Sequence, residues 1–384
     1  MSNAPEHLDP ADSARLRSPL HDRHVAAGAK FGDFAGWSMP LEYAGGGVVA
    51  EHNAVRTAVG VFDVSHLGKV WVTGAGAAEF VNACLTNDLG RIEPGQAQYS
   101  LCCTDDGGVV DDLIVYLFTP DRLMLIPNAA NTAEVVRRLT DAAPAGVAVR
   151  NAHHEYAVLA VQGPRSDDTL AAMALPIGHG YFSFREARWG DTELTVCRTG
   201  YTGEHGYELV VPADAAGDVW DAVLEAGEPW GIKPAGLGAR DTLRTEMGYP
   251  LHGQDLSREI TPVQARLAWA VGWDKPAFWG AEALRAERAA KPARVLTGVR
   301  HAGRRIPRPG MAVYADDGGS GGAAEPVGVV TSGTYGPTAG VGLGLVLIDR
   351  RRARAGNQVW LDLRGRREPY ELVKPPFVQV DPGD

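Results

Sequence analysis

The feature that most constrains the fold is the glycine-rich stretch of residues 198–208, RTGYTGEHGYE, which lies between two strand-like runs. Its three glycines allow backbone angles that other residues avoid, and they let a ligand approach the main chain closely. Tyr201, Tyr207, Glu204 and Glu208 stand between these glycines. Aromatic rings beside a carboxylate suit a flat heterocycle that carries adjacent N–H donors. A β-hairpin with solvated charges is an equally good interpretation of this stretch alone.

Length and charge restrict the class of protein. The 384 residues are enough for two or three domains, and the hydrophobic (45%) and charged (22%) fractions are typical of a globular protein. The net charge of -10 argues against a general surface for nucleic acid or for an anionic membrane. The sequence contains no apolar run near the ~20 residues that cross a bilayer, and it begins without a secretory signal. Four cysteines without a C-x-x-C motif are too few for a disulfide framework, so a cytoplasmic protein is expected.

Strand-like and helical patterns are mixed along the first three quarters of the chain. Helices are predicted over residues 75–85, 132–142 and 214–226. Asn131 is expected to cap the second of these, with Glu134 three residues later in a capping-box-like position. Without regular alternation of strands and helices, this mixture predicts an α+β fold with largely antiparallel sheets.

The last quarter has a different pattern. The charged, proline-containing residues 287–294 are interpreted as a linker, and the five strand-like runs beyond them predict a small β-barrel or jelly roll. Residues 316–324 are expected to form a flexible hairpin tip, and residues before about 17 a disordered lead.

Asp111 and Asp112 interrupt a strand-forming run that follows a turn at residues 106–108. Strand alternation predicts that the two carboxylates point to opposite faces, so a proton-sharing dyad is not expected. At least one acid then lies among apolar neighbours, which is costly unless the acid is paired or functional. The alternative is a strand-end aspartate that hydrogen-bonds a nearby turn.

In residues 234–250 a glycine turn leads into a helix. Asp241 is expected in the first turn, where a carboxylate complements the helix dipole. Arg240 at this entry could hold a carboxylate or phosphate, or it could form a structural pair with Asp241. Asn128 could present its amide to a ligand or cap a helix, whereas capping is the expected role of Asn131.

Several common signatures are absent from the sequence. It has no zinc-type cysteine–histidine spacing, no EF-hand loop, no Walker A motif and no G-x-S-x-G elbow. The adjacent histidines His153 and His154 are expected to point opposite ways on an extended chain. No metal is therefore expected.

Taken together, these stretches resemble the T-protein family of the glycine cleavage system, and they keep the family order from about residue 19 to residue 377. The matching stretches include residues 33–40, 51–56, 61–68, 107–116, 198–208 and 236–246. The resemblance implies a three-domain cloverleaf around a central cavity that binds tetrahydrofolate. It also implies an aminomethyltransferase that moves the methylene of aminomethyl-dihydrolipoyl H-protein to tetrahydrofolate and releases ammonia.

The same resemblance implies domain limits and residue roles. The expected domains are residues 18–64 with 150–245, residues 65–149 with 246–286, and a C-terminal barrel over 294–380. Asp112 is the expected catalytic carboxylate, and Glu208 the residue that binds the pterin edge. The remaining expected folate-pocket residues are Tyr99, Ile114, Asn128, Tyr201, Arg240 and Tyr249. No role is carried over to residues 377–384.

Three alternatives share this scaffold. One is a tetrahydrofolate-dependent demethylase of a small methylated compound. Another is the folate module of a dimethylglycine or sarcosine oxidase, which the absence of a dinucleotide fingerprint disfavours. The third is a non-catalytic folate-binding relative that supports iron–sulfur cluster assembly. That group carries a cysteine in the loop that corresponds to residues 198–204, and this chain has none there.

Overall fold

A computed structural model describes residues 15–317 and 325–380. The strands are β1 (Leu16–Arg17), β2 (Lys30–Phe34), β3 (Trp37–Glu42), β4 (Gly60–Asp63), β5 (Val70–Thr73), β6 (Gln96–Cys103), β7 (Val109–Thr119), β8 (Arg122–Ile126), β9 (Ala148–Asn151), β10 (Tyr156–Gln162), β11 (Phe184–Trp189), β12 (Thr192–Cys197), β13 (Gly206–Pro212), β14 (Lys233–Pro234), β15 (Arg294–Arg300), β16 (Ala312–Tyr314), β17 (Gly328–Gly336), β18 (Val341–Asp349), β19 (Gln358–Leu363) and β20 (Arg366–Val373). The α-helices are α1 (His21–Ala26), α2 (Gly47–Thr57), α3 (Ala77–Cys84), α4 (Thr132–Ala142), α5 (Ser166–Ala172), α6 (Ala216–Gly227), α7 (Leu237–Met247) and α8 (Ala281–Ala290).

A six-stranded sheet with the order β11-β12-β13-β10-β4-β14 forms one layer of the molecule. Its central strand β10 pairs antiparallel with both β13 and β4. The strand is buried on both faces, because Leu159 packs in the cluster that contains Trp220 of α6 while Ala160 packs in a second cluster on the other side. This double burial explains why β10 is a continuous apolar run and not an alternating one.

A second, five-stranded sheet has the order β6-β7-β8-β5-β9. Its longest strand, β7, pairs antiparallel with β6 and β8, and the ladder to β6 has a bulge next to Asp111. Val115 of β7 lies in an apolar cluster with Val81 of α3 and Leu139 of α4. Both helices therefore cover the same face of this sheet, so the other face is left for the rest of the molecule.

The C-terminal strands form a closed barrel in the order β15-β18-β17-β16-β19-β20. The barrel prediction is confirmed, and so is the α+β class of the whole chain. The short strand β16 was not predicted, because three residues carry too little pattern to be recognised. The predicted linker is partly wrong, since α8 continues to Ala290 through its charged first half. Most of the expected hairpin tip lies outside the described residues, as do residues 1–14.

Two helix predictions need correction at their termini. Helix α4 spans the predicted residues, but the side chain of Asn131 makes no capping hydrogen bond, and Glu134 pairs with Arg137 instead. Asp241 is the fifth residue of α7, one turn later than expected, and it pairs with Arg244 and not with Arg240. In both places the acid pairs with an arginine three residues later in the same helix.

All four cysteines are buried and none is paired with another. Within the described ranges, no helix is both long and apolar enough to cross a bilayer. No cluster of three or more histidine, cysteine, aspartate or glutamate side chains there is arranged to hold a metal ion.

Candidate active site

One cavity of about 480 Å³ lies where the two large sheets, the chain that follows α7 and the barrel meet. Its walls include every residue to which a site role was assigned from sequence: Tyr99, Asp112, Ile114, Asn128, Tyr201, Glu208, Arg240 and Tyr249. These residues come from segments as far apart as β6 and the chain after α7. Their convergence on one cavity is a property of the tertiary fold.

The two adjacent aspartates converge on a single amide group. The Asn128 side-chain nitrogen donates to Asp111 Oδ1 and to Asp112 Oδ1, each at 2.9 Å. Asp111 is fully buried, whereas Asp112 lines the cavity and also accepts a hydrogen bond from the Tyr99 hydroxyl at 3.0 Å. Of the two acids only Asp112 lines the cavity, as opposite faces of the strand predict, but the Asn128 amide bonds both carboxylates beside the bulge of β7.

This acid pair has no cation among its hydrogen-bond partners in the described parts of the chain. Burial, followed by the charge of Asp112, raises the pKa of Asp111 well above its usual value. Desolvation in the enclosed site likewise raises the pKa of Asp112, against which the nearby His252 and the hydrogen bond from Tyr99 act. Two neighbouring carboxylates in such a place bind a proton more readily than either acid does in water.

A second wall of the cavity is aromatic and cationic. The Arg240 guanidinium lies over the Tyr201 ring at 4.7 Å, and the ring centroids of Tyr201 and Tyr249 are 5.7 Å apart. Arg240 Nη1 is buried and has no hydrogen-bond partner within residues 15–317 and 325–380. Desolvation lowers the pKa of Arg240, and the charge of Glu208 opposes that shift. A buried donor of this kind indicates a place for a ligand acceptor.

The glycine-rich stretch is both a hairpin and a cavity wall. It connects β12 to its antiparallel partner β13, and Glu208 on β13 accepts a hydrogen bond from the Thr199 hydroxyl at 2.6 Å. A Cβ atom at Gly200 would lie 2.1 Å from the Gln162 side chain, so this glycine is required by packing. Of the other candidates in the stretch, Tyr207 is buried in the core and Glu204 pairs with Arg56 at 2.9 Å.

Among the cavity residues that the sequence interpretation did not select are one tryptophan and two histidines. Trp269 is 62% exposed and stacks on Tyr99 with a centroid distance of 5.3 Å. His252 lies beside the acid pair, and His66 is buried, with desolvation and the charge of Arg240 lowering its pKa to about 3. No motif rule selects isolated histidines or a lone tryptophan, so only their location in the fold identifies them.

Comparisons with known proteins agree with this geometry. The GCVT N-terminal domain family model matches residues 20–275, and the glycine cleavage T-protein C-terminal barrel model matches residues 294–379. An aminomethyltransferase of Frankia alni is 63% identical over 366 residues, covering 95% of this chain and 98% of that protein. One of Mycobacterium tuberculosis is 57% identical over 366 residues, with 95% and 97% covered.

A solved structure gives the same result. The crystal structure of glycine cleavage system aminomethyltransferase T from Bartonella henselae matches with a TM-score of 0.88 and 33% identity. The match covers 94% of this chain and 98% of that one. The chain belongs to the glycine cleavage T-protein family. These matches confirm the predicted family, fold class and aminomethyltransferase function, whereas the predicted domain limits and residue roles stay predictions.

Proposed function

We propose that the cavity binds tetrahydrofolate and that Asp112 serves the transfer of a methylene to it from the aminomethyl-dihydrolipoyl arm of H-protein, with release of ammonia. The observation that carries this proposal is the convergence of Asp112, Glu208 and Arg240 on one aromatic-walled cavity. Its volume of about 480 Å³ is in the range of small-molecule sites. No metal and no covalent enzyme nucleophile take part in the proposed reaction.

The residues present suit a reduced pterin. Glu208 keeps Oε1 without a partner in the described chain, so it can accept from adjacent N–H groups of a flat heterocycle. Tyr201 and Tyr249 offer ring surfaces, and the unpartnered Nη1 of Arg240 offers a donor to a carbonyl or carboxylate oxygen. Tyr99, Ile114 and Asn128 complete the wall around Asp112, as the family resemblance implies.

The chemistry requires control of positive charge and of one proton. The C–N bond of the S–CH2–NH3+ group breaks, ammonia leaves with the bonding electrons, and the sulfur lone pair stabilises the cationic methylene. A folate nitrogen then attacks that carbon and loses its proton, and the C–S bond breaks toward sulfur to leave a thiolate that takes up this proton. Closure of the carbon onto the second nitrogen releases the other proton. A fixed carboxylate at Asp112 can stabilise the cationic carbon and accept that proton.

The donor arm must reach the cavity from solvent. Trp269 and Tyr181 both line the cavity and are 62% and 47% exposed, so the cavity opens to solvent beside these two rings. An arm carried by a separate protein can enter at such an opening while the carrier stays outside. We infer that lipoylated H-protein is the partner, and we propose no nucleic-acid or membrane partner for this acidic chain.

The decisive experiment supplies tetrahydrofolate and aminomethyl-loaded H-protein to the purified enzyme. Formation of 5,10-methylenetetrahydrofolate and of ammonia in equal amounts is expected. The control omits the lipoyl arm by using apo-H-protein, which should give neither product. Folate binding without transfer from loaded H-protein, together with transfer from a small methylated donor, would replace this proposal with the demethylase alternative.

A further inference from the structure

Beside the cavity, a continuous hydrogen-bonded chain runs from His252 to Asp112. The Asn131 side-chain nitrogen lies 3.0 Å from His252 Nδ1 and donates to Asp111 Oδ1 at 2.7 Å. Asp111 Oδ2 accepts from the backbone N–H of Asn128 at 3.0 Å, and the Asn128 side chain then bonds both carboxylates. No cavity role was assigned to Asp111, Asn131 or His252 from sequence, and the reaction proposed above does not use them.

The hydrogen bonds of His252 determine its tautomer. Its Nε2 lies 3.2 Å from the carbonyl oxygen of Val109, which can only accept, so Nε2 carries a hydrogen. Its Nδ1 faces the Asn131 amide nitrogen, which donates, so Nδ1 holds the lone pair. This arrangement therefore matches an imidazole that donates from Nε2 and accepts at Nδ1. Protonation of Nδ1 would set two donors against each other and turn the Asn131 amide away from Asp111.

Asp111 lies at the centre of this series of hydrogen bonds. Its carboxylate receives three N–H donors and has no contact with the cavity. Three donors on a fully buried carboxylate hold it in one orientation, and these hydrogen bonds oppose the effect of burial, which raises the pKa of Asp111. Because Asn128 is shared, that orientation also decides where the Asp112 carboxylate points.

We propose that Asp111 is the positioning residue of this active site. It acts through Asn128 on the orientation and proton affinity of Asp112, and His252 and Asn131 hold it in place. The proposal rests on the transferase function proposed above. When Asp111 is ionised, its negative charge behind Asp112 makes that carboxylate a better proton acceptor, which the ring-closing step needs.

Other titratable groups near the pair do not change charge near neutral pH. Tyr99 and Cys102 face it from β6, and Tyr201 faces Asp112 from another wall of the cavity. Burial raises the pKa of Tyr99 well above its usual value and that of Cys102 to about 12. Burial also raises the pKa of Tyr201. These three side chains therefore stay neutral near neutral pH.

The first test is the pH profile of kcat for Asp111→Asn. Loss of the neighbouring charge should move the acid limb to lower pH by about one unit and lower kcat about tenfold, while the Kd for tetrahydrofolate stays within about twofold. The new amide meets three donors with one oxygen, so some stability loss is also expected. A merely structural role would lower the amount of active enzyme without moving the acid limb.

The second test leaves Asp111 unchanged. In His252→Gln the side-chain oxygen can accept from Asn131 and the nitrogen can donate to Val109, whereas His252→Phe can do neither. We expect Gln to retain most of kcat and Phe to lose about tenfold. His154→Gln, at an exposed histidine, is the matched control.

The outcomes separate the two proposals. An unmoved acid limb in Asp111→Asn, or equal kcat for the Gln and Phe variants at position 252, would overturn the positioning role. Absence of transfer by the unaltered enzyme would instead overturn the proposed function.

Discussion

The carboxylates at the cavity and the buried carboxylate of Glu246 have opposite surroundings. Asp111 and Asp112 share amide and hydroxyl donors, and desolvation raises the pKa of both. Glu246 accepts from Arg56 at 3.0 Å, lies 3.3 Å from His52, and accepts from the backbone N–H groups of Thr338 and Ala339 in the barrel. Burial alone would raise its pKa, but these partners, with His52 first, lower it to about 2.

This difference distinguishes the acids of the candidate active site from an acid that stabilises the tertiary structure. An acid with a cation and several N–H donors keeps its charge and fastens one part of the molecule to another, here α7 to the β17–β18 turn. An acid without a cation has its proton affinity raised and is available for proton transfer. The same contrast holds for two arginines of α7, since Arg244 pairs with Asp241 and Asp255 whereas Arg240 Nη1 is unpartnered.

The largest effect is expected at Asp112. Asp112→Asn should lower kcat by about 1,000-fold, because the amide can neither accept the proton nor neutralise the cationic methylene. Since the folded-state pKa of Asp112 is raised, its ionised form costs stability at pH 8, and this cost disappears as the pH falls. The variant should therefore unfold no earlier than the unaltered enzyme at pH 8. The exposed Asp105→Asn is the control, and near-normal turnover of Asp112→Asn would remove this residue from the mechanism.

Glu246→Gln should have the next largest effect, on stability and not on chemistry. Breaking a buried ion pair typically costs about 3 kcal/mol of unfolding free energy. Because the pKa of Glu246 is lowered to about 2, its stabilisation is present above the ordinary value of 4.5 and is lost as the pH falls toward 2. Urea unfolding at several pH values measures this difference, with Glu225→Gln on the surface of α6 as control. A pH-independent difference would contradict the assigned charge state.

The arginine pair gives a third, smaller effect. Arg240→Met should weaken tetrahydrofolate binding about tenfold and leave the unfolding free energy unchanged or higher, because a desolvated, incompletely bonded group is removed. Arg244→Met should do the reverse and destabilise the protein by about 3 kcal/mol. Calorimetric titration measures the Kd of each variant for tetrahydrofolate, and unfolding curves measure its unfolding free energy. Equal destabilisation by the two variants would show that Arg240 is structural.

The smallest effect is expected at Trp269. Its ring is 62% exposed, so Trp269→Ala should change the unfolding free energy by less than about 0.5 kcal/mol. Loss of the surface beside Tyr99 should raise the Kd for tetrahydrofolate about threefold. Trp230→Ala, at a tryptophan that does not line the cavity, is the matched control. If Trp269→Ala and Trp230→Ala have the same Kd for tetrahydrofolate, the stacked rings of Tyr99 and Trp269 do not contact the ligand.

Most of the fold could be predicted from the sequence, because the patterns that indicate helices, strands and turns are local and recur along the chain. Helix α4 has the predicted limits, and the barrel strands recur with clear turns between them. The cavity residues, including Asp112 and Glu208, were reached through the ordered set of stretches shared with the T-protein family. A short strand such as β16 was lost, because three residues contain less than two periods of alternation.

The sequence by itself therefore determined the α+β class, the C-terminal barrel, the family and eight of the residues around the cavity. Only the tertiary structure decided what each polar group bonds. Asn131 was expected to cap a helix and instead joins Asp111 to His252, which is 121 residues away along the chain. Strand alternation predicted that Asp111 and Asp112 face opposite ways, and of the two only Asp112 lines the cavity, but alternation could not show that the Asn128 amide bonds both carboxylates. The physical reason is that periodicity reports which face of an element a residue occupies, whereas proton affinity depends on partners that distant segments supply.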